Sequence, residues 1–281
     1  RTFSWSNEAK GNAAVHCVIV GFGLEDLPGK VIYEYENIRG AAHAVPASNI
    51  NPYLVDAPDV VLPRRNKPIC KVPEIGIGNK PIDGGNYLFS TEERDAFIAK
   101  EPASAPWFRR WLGADEFLNG YERWCLWLGD CPPGALRAMP QAMQRVQAVK
   151  TLRLASKSPP TQRLAATPTR FHVENMPQAP YLVLPEVSSE RRLFIPLGFE
   201  QPSTLCSNLV KIAPGATLFH FGILSSTMHN AWVRAVCGRL KSDFRYSASI
   251  VYNNFPWPFP SADSEPNTAQ ARANIAQAAI E

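Results

Sequence analysis

PYLVLPEVSSERRLFIPLGFEQPSTLCSNLVKIAPGATLFHFGIL, residues 180–224, decides the architecture. Cut at its turn residues, it falls into PYLVLPEV (180–187), RRLFIPLGF (191–199), LCSNLVKI (205–212) and ATLFHFGIL (216–224). Each piece is short, rich in Val, Ile, Leu and Phe, and bounded by turn formers, the composition that suits a pleated, half-buried surface. These four segments predict a mixed or antiparallel sheet. Downstream, SSTMHNAWVRAVCGRL (225–240) has the spacing of one long amphipathic helix. FRYSASIVYNNF (244–255) reads as an aromatic strand, and a last helix begins at Thr268.

Upstream of the sheet the signals are helical. Ser90 or Thr91 caps a segment with Glu92 and Glu93 in its first turn, favourable at the positive end of a helix dipole. Helical character continues through Trp107 to Leu112, Glu116 to Leu128 and Pro133 to Ala155, with Pro140 predicted to split the last into two helices. Residues 40–86 carry Pro at 46, 52, 58, 63, 68, 73 and 81, too closely spaced for any long regular element. Before them, AAVHCVIVGF (13–22) and KVIYEYE (30–36) predict two neighbouring strands, the last of a larger sheet lying upstream of Arg1. The fold class is therefore α+β: a helical subdomain, then a mixed or antiparallel sheet with packed helices. The divisions are 1–40 for terminal strands, 41–89 for a connector, 90–156 for the helical subdomain, 157–260 for the β domain and 261–281 for the start of a C-terminal helical part.

At 45% hydrophobic and 19% charged, the 281 residues can bury a core, which excludes wholesale disorder. No apolar run approaches the roughly 20 residues of a membrane span. Six cysteines (17, 70, 125, 131, 206, 237) form no CxxC pair and no regular framework, so they read as reduced thiols of a cytoplasmic protein. The net charge of +4 is unevenly spread. From Arg137 to Val173 there are seven basic residues and no acid, whereas Asp83 to Asp130 holds nine acids against five bases. A solvated helix face usually mixes signs. A single-sign stretch crossing helix, turn and strand suits a polyanion, although chance clustering produces the same pattern.

No catalytic constellation emerges. Asn51-Pro52-Tyr53 is one proline short of an adenine-gripping loop and lies in the connector. Gly21-Phe22-Gly23 is too short for a cofactor turn, and no phosphate-cradling glycine pattern follows a strand. Asp59, Glu74 and Lys80 are too widely spaced for a nuclease metal site. Zinc through Cys125, Cys131 and a distant His is equally poorly supported.

Several phrases resemble MmeI-like, type IIL restriction-modification proteins, in family order along nearly the whole chain. They are FSWSNEAKGNAAVHCVIVGF (3–22), INPYLVDAPDVV (50–61), GNKPIDGGNYLFSTEERDAF (78–97), LGADEFLNGYERWCLWL (112–128), VSSERRLFIPLGF (187–199), FGILSSTMHNAWVRAVCGRLKSDFRYS (221–247) and VYNNFPWP (251–258). The resemblance implies a target-recognition domain with flanking segments. Its task is sequence-specific recognition of double-stranded DNA for a bacterial, S-adenosylmethionine-dependent adenine-N6 methyltransferase and restriction enzyme. It also implies that the cofactor and the adenine-binding motifs belong to an upstream methyltransferase domain of the same polypeptide, and that Mg would accompany a nuclease domain if one is present. On this reading the chain has no catalytic, cofactor-binding or metal-binding residue of its own. The alternative is a protein-interaction or structural domain of a multi-subunit complex, from which salt-sensitive duplex binding would distinguish it.

DNA-binding candidates follow. Lys150, Arg153 and Lys157 would meet phosphates, unless they are ordinary helix-end cations. Ser158, Thr161 and Arg163 lie in a Pro-rich turn. Arg170, His172 and Glu174 alternate, so on a strand they would share one face toward base edges. Arg191 and Arg192 follow a Ser-Ser-Glu turn, where Glu190 could neutralise one of them. Ser207, Asn208 and Lys211 lie on the predicted 203–211 strand. Trp107, Trp111, Trp124 and Trp127, and the cluster Phe255, Trp257 and Phe259, read as core.

Overall fold

The computed structural model describes residues 3–6, 14–37, 40–258 and 266–280, and its architecture is α+β. Its centre is the strand Tyr181–Pro185, whose five residues are all buried. A strand alternates its side chains between two faces, so burial of every position requires packing on both. Leu182 and Leu184 enter a cluster with Ile223, Leu224, Val233, Phe244 and Tyr252. Tyr181 and Val183 enter another with Leu112, Cys206, Val210 and Ile212.

This strand belongs to a four-stranded antiparallel sheet in the order Gly198–Glu200, Tyr181–Pro185, Val210–Pro214, Gly76–Ile77. A second, mixed sheet lies on one side, in the order Thr204–Cys206, Phe108–Leu112, Trp124–Leu126, Leu88–Phe89. A third sheet of Val187–Ser188, Asp243–Arg245 and Gly238–Leu240 contributes to the other side. The segment 204–214 connects the first two: it pairs with Phe108–Leu112, turns through Ser207, Asn208 and Leu209, and then pairs with Tyr181–Pro185. Strand pairing thus joins residues on both sides of position 156, where sequence patterning placed a division. The connector also joins the core. At Gly78 an added Cβ would lie 2.4 Å from the carbonyl oxygens of Cys206 and Ser207, so only glycine permits this approach.

The helices are α1 (Thr91–Lys100), α2 (Ala114–Asn119), α3 (Pro133–Arg137), α4 (Pro140–Leu154), α5 (Pro159–Arg163), α6 (Leu218–Ser225), α7 (Thr227–Val236) and α8 (Pro266–Ala278). Ser90 caps α1 through a capping box with Glu93. The break at Pro140 occurs as predicted, because its missing N–H costs nothing at the first position of α4. The next two N–H groups of α4, on Gln141 and Ala142, donate 2.7 and 3.0 Å bonds to the buried Glu101 carboxylate. The mixed sheet, α1 and α4 enclose a core in which Phe89, Phe97 and Phe108 meet edge to face at 5.2–5.8 Å. Trp111 and Trp127 are buried there, and Trp107 and Trp124 pack against it. Phe255 and Trp257 lie in the other large cluster, while Phe259 lies outside the described residues.

Several local expectations fail for non-local reasons. Trp107 to Leu112 and the end of Glu116 to Leu128 are strands, because Phe108–Leu112 and Trp124–Leu126 pair with each other and with Thr204–Cys206. The run 216–224 is mostly helix α6. Gly215, at φ 76°, ends the preceding strand, Thr217 and His220 form a capping box, and Gly222 meets Ile275 of α8 closely enough to exclude a Cβ. Of 191–199 only the end is strand; 225–240 is not one helix but the last residue of α6, the helix Thr227–Val236 and the strand Gly238–Leu240; and of 244–255 only the first two residues are strand. At the N-terminus the two predicted strands do not pair with each other. Ala14–Cys17 pairs with Phe3–Ser6, and Val31–Glu34 with His43–Pro46. No helix among the described residues is long and apolar enough to cross a membrane.

Candidate nucleic-acid interface

The acid-free stretch 137–173 forms α4, a tight turn, α5 and an irregular return past Lys80. Lys150, Lys157, Ser158 and Arg163 are exposed along it, Thr161 is half-buried, and none of the three cations has an ion-pair partner among the described residues. Pro159 and Pro160 preorganise the first turn of α5, which holds Arg163 close to the end of α4.

Arg153 must be removed from the contact list. It is fully buried, and its guanidinium donates to five carbonyl oxygens, those of Pro81, Ile82, Leu164, Thr167 and Arg170, at 2.8–3.0 Å. Burial lowers its pKa, with Tyr87 and Asp83 opposing that shift. Its planar fork ties the connector to the turn after α5, and no donor direction faces solvent.

The alternating strand proposed for Arg170, His172 and Glu174 is absent. The segment is a turn with one isolated bridge, Val173 to Lys80, so period-two geometry does not apply. All three side chains are exposed. Arg170 pairs with Glu174 at 3.1 Å and with Asp130 at 3.6 Å, and Glu174 also accepts from the Phe171 N–H at 3.1 Å.

Ser207 and Lys211 are likewise internal. Ser207 is buried, its hydroxyl accepting from the Leu209 N–H. Lys211 is buried and donates to Glu186 at 2.7 Å, while Arg245 donates to the other oxygen of Glu186 at 2.9 Å. Burial raises the Glu186 pKa, but the hydrogen bonds and charges of Lys211 and Arg245 outweigh it and hold the carboxyl below its usual range. Asn208 remains half-exposed at the turn between two sheets. Replacing Glu186 by Ala is expected to cost about 2 kcal/mol in urea unfolding, toward the low side for a buried pair because Arg245 is largely exposed. A cost under about 0.5 kcal/mol would show that the pair contributes nothing net.

Arg191 and Arg192 are exposed, and Glu190 forms no ion pair with either. Around them lie cations that the sequence reading missed: Arg234 at the end of α7, and Arg239 and Lys241 on the hairpin 238–245. The Arg239 guanidinium lies 3.9 Å from the centre of the Phe244 ring. No single-sign run could flag this group, because it is assembled from three separated segments.

Among the described residues no cluster of three or more His, Cys, Asp or Glu could hold a metal ion. The largely apolar cavity lined by Phe3, Val18, Ile19, Val31, Tyr33 and Ile50 has no carboxylate in its lining to grip a ribose. The six cysteines are all free thiols.

The family model described as the MmeI target recognition domain matches residues 56–259. DNA methyltransferase A of Bacillus subtilis (strain 168) is 40% identical over 259 residues, 92% of this chain but 29% of the relative. The structure of the type IIL restriction-modification enzyme MmeI in complex with DNA superposes with a TM-score of 0.94 at 50% identity, over all of this chain and 36% of that one. The chain therefore spans well under half the length of either relative.

Proposed function

Since the chain belongs to the MmeI target recognition domain family, we propose that it recognises a specific sequence in double-stranded DNA on behalf of a DNA methyltransferase and restriction enzyme. The observation that carries this reading is the match of the whole of this chain to part of MmeI, a protein whose structure was determined with DNA. The whole protein would use S-adenosylmethionine to methylate adenine N6, with Mg serving any nuclease activity. Both ligands are assigned to parts of the polypeptide outside this chain, in a bacterial cytoplasm. Extruding an adenine from a duplex costs a few kcal/mol, so a separate surface must hold the DNA and select the site.

Phosphate contacts supply affinity and register, and groove contacts supply discrimination. Lys150, Lys157 and Arg163 suit the first task because they are exposed and unpaired. For the second, Arg170, His172, Glu174 and Asn208 are the candidates, with Ser158 and Thr161 beside the phosphate-binding cations. Arg170 and Glu174 can reach a guanine or a cytosine only by giving up their mutual ion pair. A matched base pair repays that loss with bidentate bonds worth roughly 1–3 kcal/mol, and a mismatched one does not.

The test is duplex binding by fluorescence anisotropy across a salt series. Replacing Lys150 and Lys157 together by Ala should reduce the slope of log affinity against log salt by about 1.8, or roughly 0.9 for each phosphate contact. The loss should be the same on matched and unmatched DNA. A salt-independent affinity in the unaltered chain would sink the reading.

A further inference from the structure

The cations around residues 191 and 241 sit on a scaffold more constrained than a surface loop requires. Glu190 donates its N–H to Asp243 at 3.3 Å, and Arg192 donates its N–H to the Ser189 carbonyl at 3.1 Å. At the far end, the Ile195 N–H donates to the side-chain oxygen of Asn230 at 2.8 Å. Asn230 is buried and is itself fixed, its amide donating to the Leu224 and Ser226 carbonyls. Arg234 donates to the Leu193 carbonyl in the middle of the loop. The backbone of 189–195 is thus pinned to α7 at two points and to the third sheet at one, and is closed on itself by a fourth bond.

What this pinned backbone displays is Arg191, Arg192, Leu193 and Phe194, with Leu193 75% and Phe194 47% exposed. A loop held this firmly could have turned its apolar side chains inward, as it does with the buried Ile195. Rigid presentation of exposed apolar groups among cations is the character of a contact surface. Lys241 adds an independent sign. It occupies a left-handed backbone position, φ 57°, where glycine would be less strained, yet it carries a long cation at the tip of the hairpin. Arg239, stacked on Phe244 and donating to the Ser242 carbonyl at 2.9 Å, has its plane fixed in advance. The acids close by are Glu190 and Asp243, fewer than the cations, and Asp243 is engaged with the loop backbone.

We propose that the pinned loop 189–194 and the hairpin tip 239–241 form a second DNA-contacting surface, in which Arg191, Arg192, Arg239 and Lys241 meet backbone phosphates and Leu193 and Phe194 pack against the groove between them. Arg234 is a positioning residue: it holds the loop through the Leu193 carbonyl. The proposal rests on the reading of the chain as a duplex DNA binder. It goes further in assigning that duplex to residues outside the basic stretch 137–173. The fixed guanidinium plane of Arg239 matches phosphate geometry, and the preset backbone under Arg191 and Arg192 lowers the ordering cost of binding.

The experiment measures anisotropy of the chain with a labelled duplex between 50 and about 300 mM salt, the range over which counterion release dominates. Arg191→Ala with Arg192→Ala, and separately Arg239→Ala with Lys241→Ala, should each reduce the salt slope by about 1.8 and weaken binding by about ten- to a hundredfold at 100 mM salt. Leu193→Ser should weaken binding with the slope unchanged, since no charge is lost. Thermal unfolding controls for folding: the changes at Arg191, Arg192 and Leu193 should leave the midpoint in place, and Arg239→Ala, which uncovers Phe244, is compared at a temperature where the variant is folded. If the unaltered chain shows a steep salt slope while both double variants keep its slope and affinity, the second surface is refuted and the DNA reading stands. If the unaltered chain fails to bind duplex DNA at any salt, the DNA reading itself fails. Unchanged duplex binding in the double variants together with lost binding to an acidic polypeptide such as polyglutamate would assign the surface to protein instead and overturn the proposal.

Discussion

Replacing Arg153 by Ala should lower the free energy of unfolding by roughly 4 kcal/mol or more, placing it among the exceptional single substitutions. The cause is the number of partners left behind. Five carbonyl oxygens lose the guanidinium at once; those of Leu164 and Thr167 still accept from the Thr167 and Arg170 N–H groups, but those of Pro81, Ile82 and Arg170 keep no other donor among the described residues. Each buried polar group left unsatisfied costs about 1–3 kcal/mol, reduced where water can enter the vacated volume. Arg153→Lys should recover little, because an ammonium has three donors on one atom and cannot span carbonyls arranged around a planar fork. Arg153→Met would keep the stem and isolate the loss of donors. Urea unfolding monitored by tryptophan fluorescence provides the measurement. A change below about 1 kcal/mol for Ala, or full rescue by Lys, would refute the assignment of Arg153 as the clasp between the connector and the turn after α5.

Arg153 also illustrates what sequence could and could not reveal. Its position near the end of a helix, within seven cations and no acid, made it look like a phosphate ligand. Nothing local distinguishes it from Lys150 or Lys157, since its partners come from residues 81–82 and 164–170. Patterns that depend on a few neighbouring residues were legible: the Ser90 cap, the Pro140 break, a strand within 180–187 and the tryptophan-rich core. Elements decided by distant pairing were not. Phe108–Leu112 has two exposed arginines between apolar residues, a spacing that fits a helix as well as a strand, and only its two strand partners decide the matter. The run 216–224 is mostly apolar, with only Thr217 and His220 polar, and so short an apolar run has no period to read. The cationic group at 191–192, 234 and 239–241 escaped notice because the fold, not the sequence, brings its members together.

The second large effect concerns pH. His229 is fully buried in α7, with Nε2 3.1 Å from the Tyr246 hydroxyl and the Phe255 ring edge-on at 4.5 Å. Its Nδ1 has no hydrogen-bond partner among the described residues, and burial lowers its pKa from 6.5 to about 3. The folded state therefore holds this imidazole neutral, while the unfolded chain takes up a proton near pH 6.5. The stability it permits is complete above about 6.5 and is lost as pH falls toward 3, at up to about 1.4 kcal/mol per pH unit. Between pH 7 and pH 5 the loss from this residue alone amounts to about 2 kcal/mol, and by pH 3.5 to about 4. His229→Gln, which keeps a polar partner for Tyr246 without a titrating group, should remove that part of the slope. Denaturant unfolding at pH 7 and pH 5 provides the comparison. Equal pH dependence in the two proteins would show that His229 is hydrated or mobile enough to titrate normally.

The passage of residues 204–214 from one sheet into the other bears on inheritance and recombination. A gene break between the helical section and the β section, near residue 157, would separate Phe108–Leu112 from its parallel partner Thr204–Cys206. A chimera joined there would have to match two ancestries within a single hydrogen-bonded ladder, down to the Gly78 approach to Cys206 and Ser207. Segments 76–80, 108–126 and 181–214 are therefore bound to travel together. Exchange of specificity between relatives is left to two routes: transplanting the whole unit, or replacing single side chains on its outer surface.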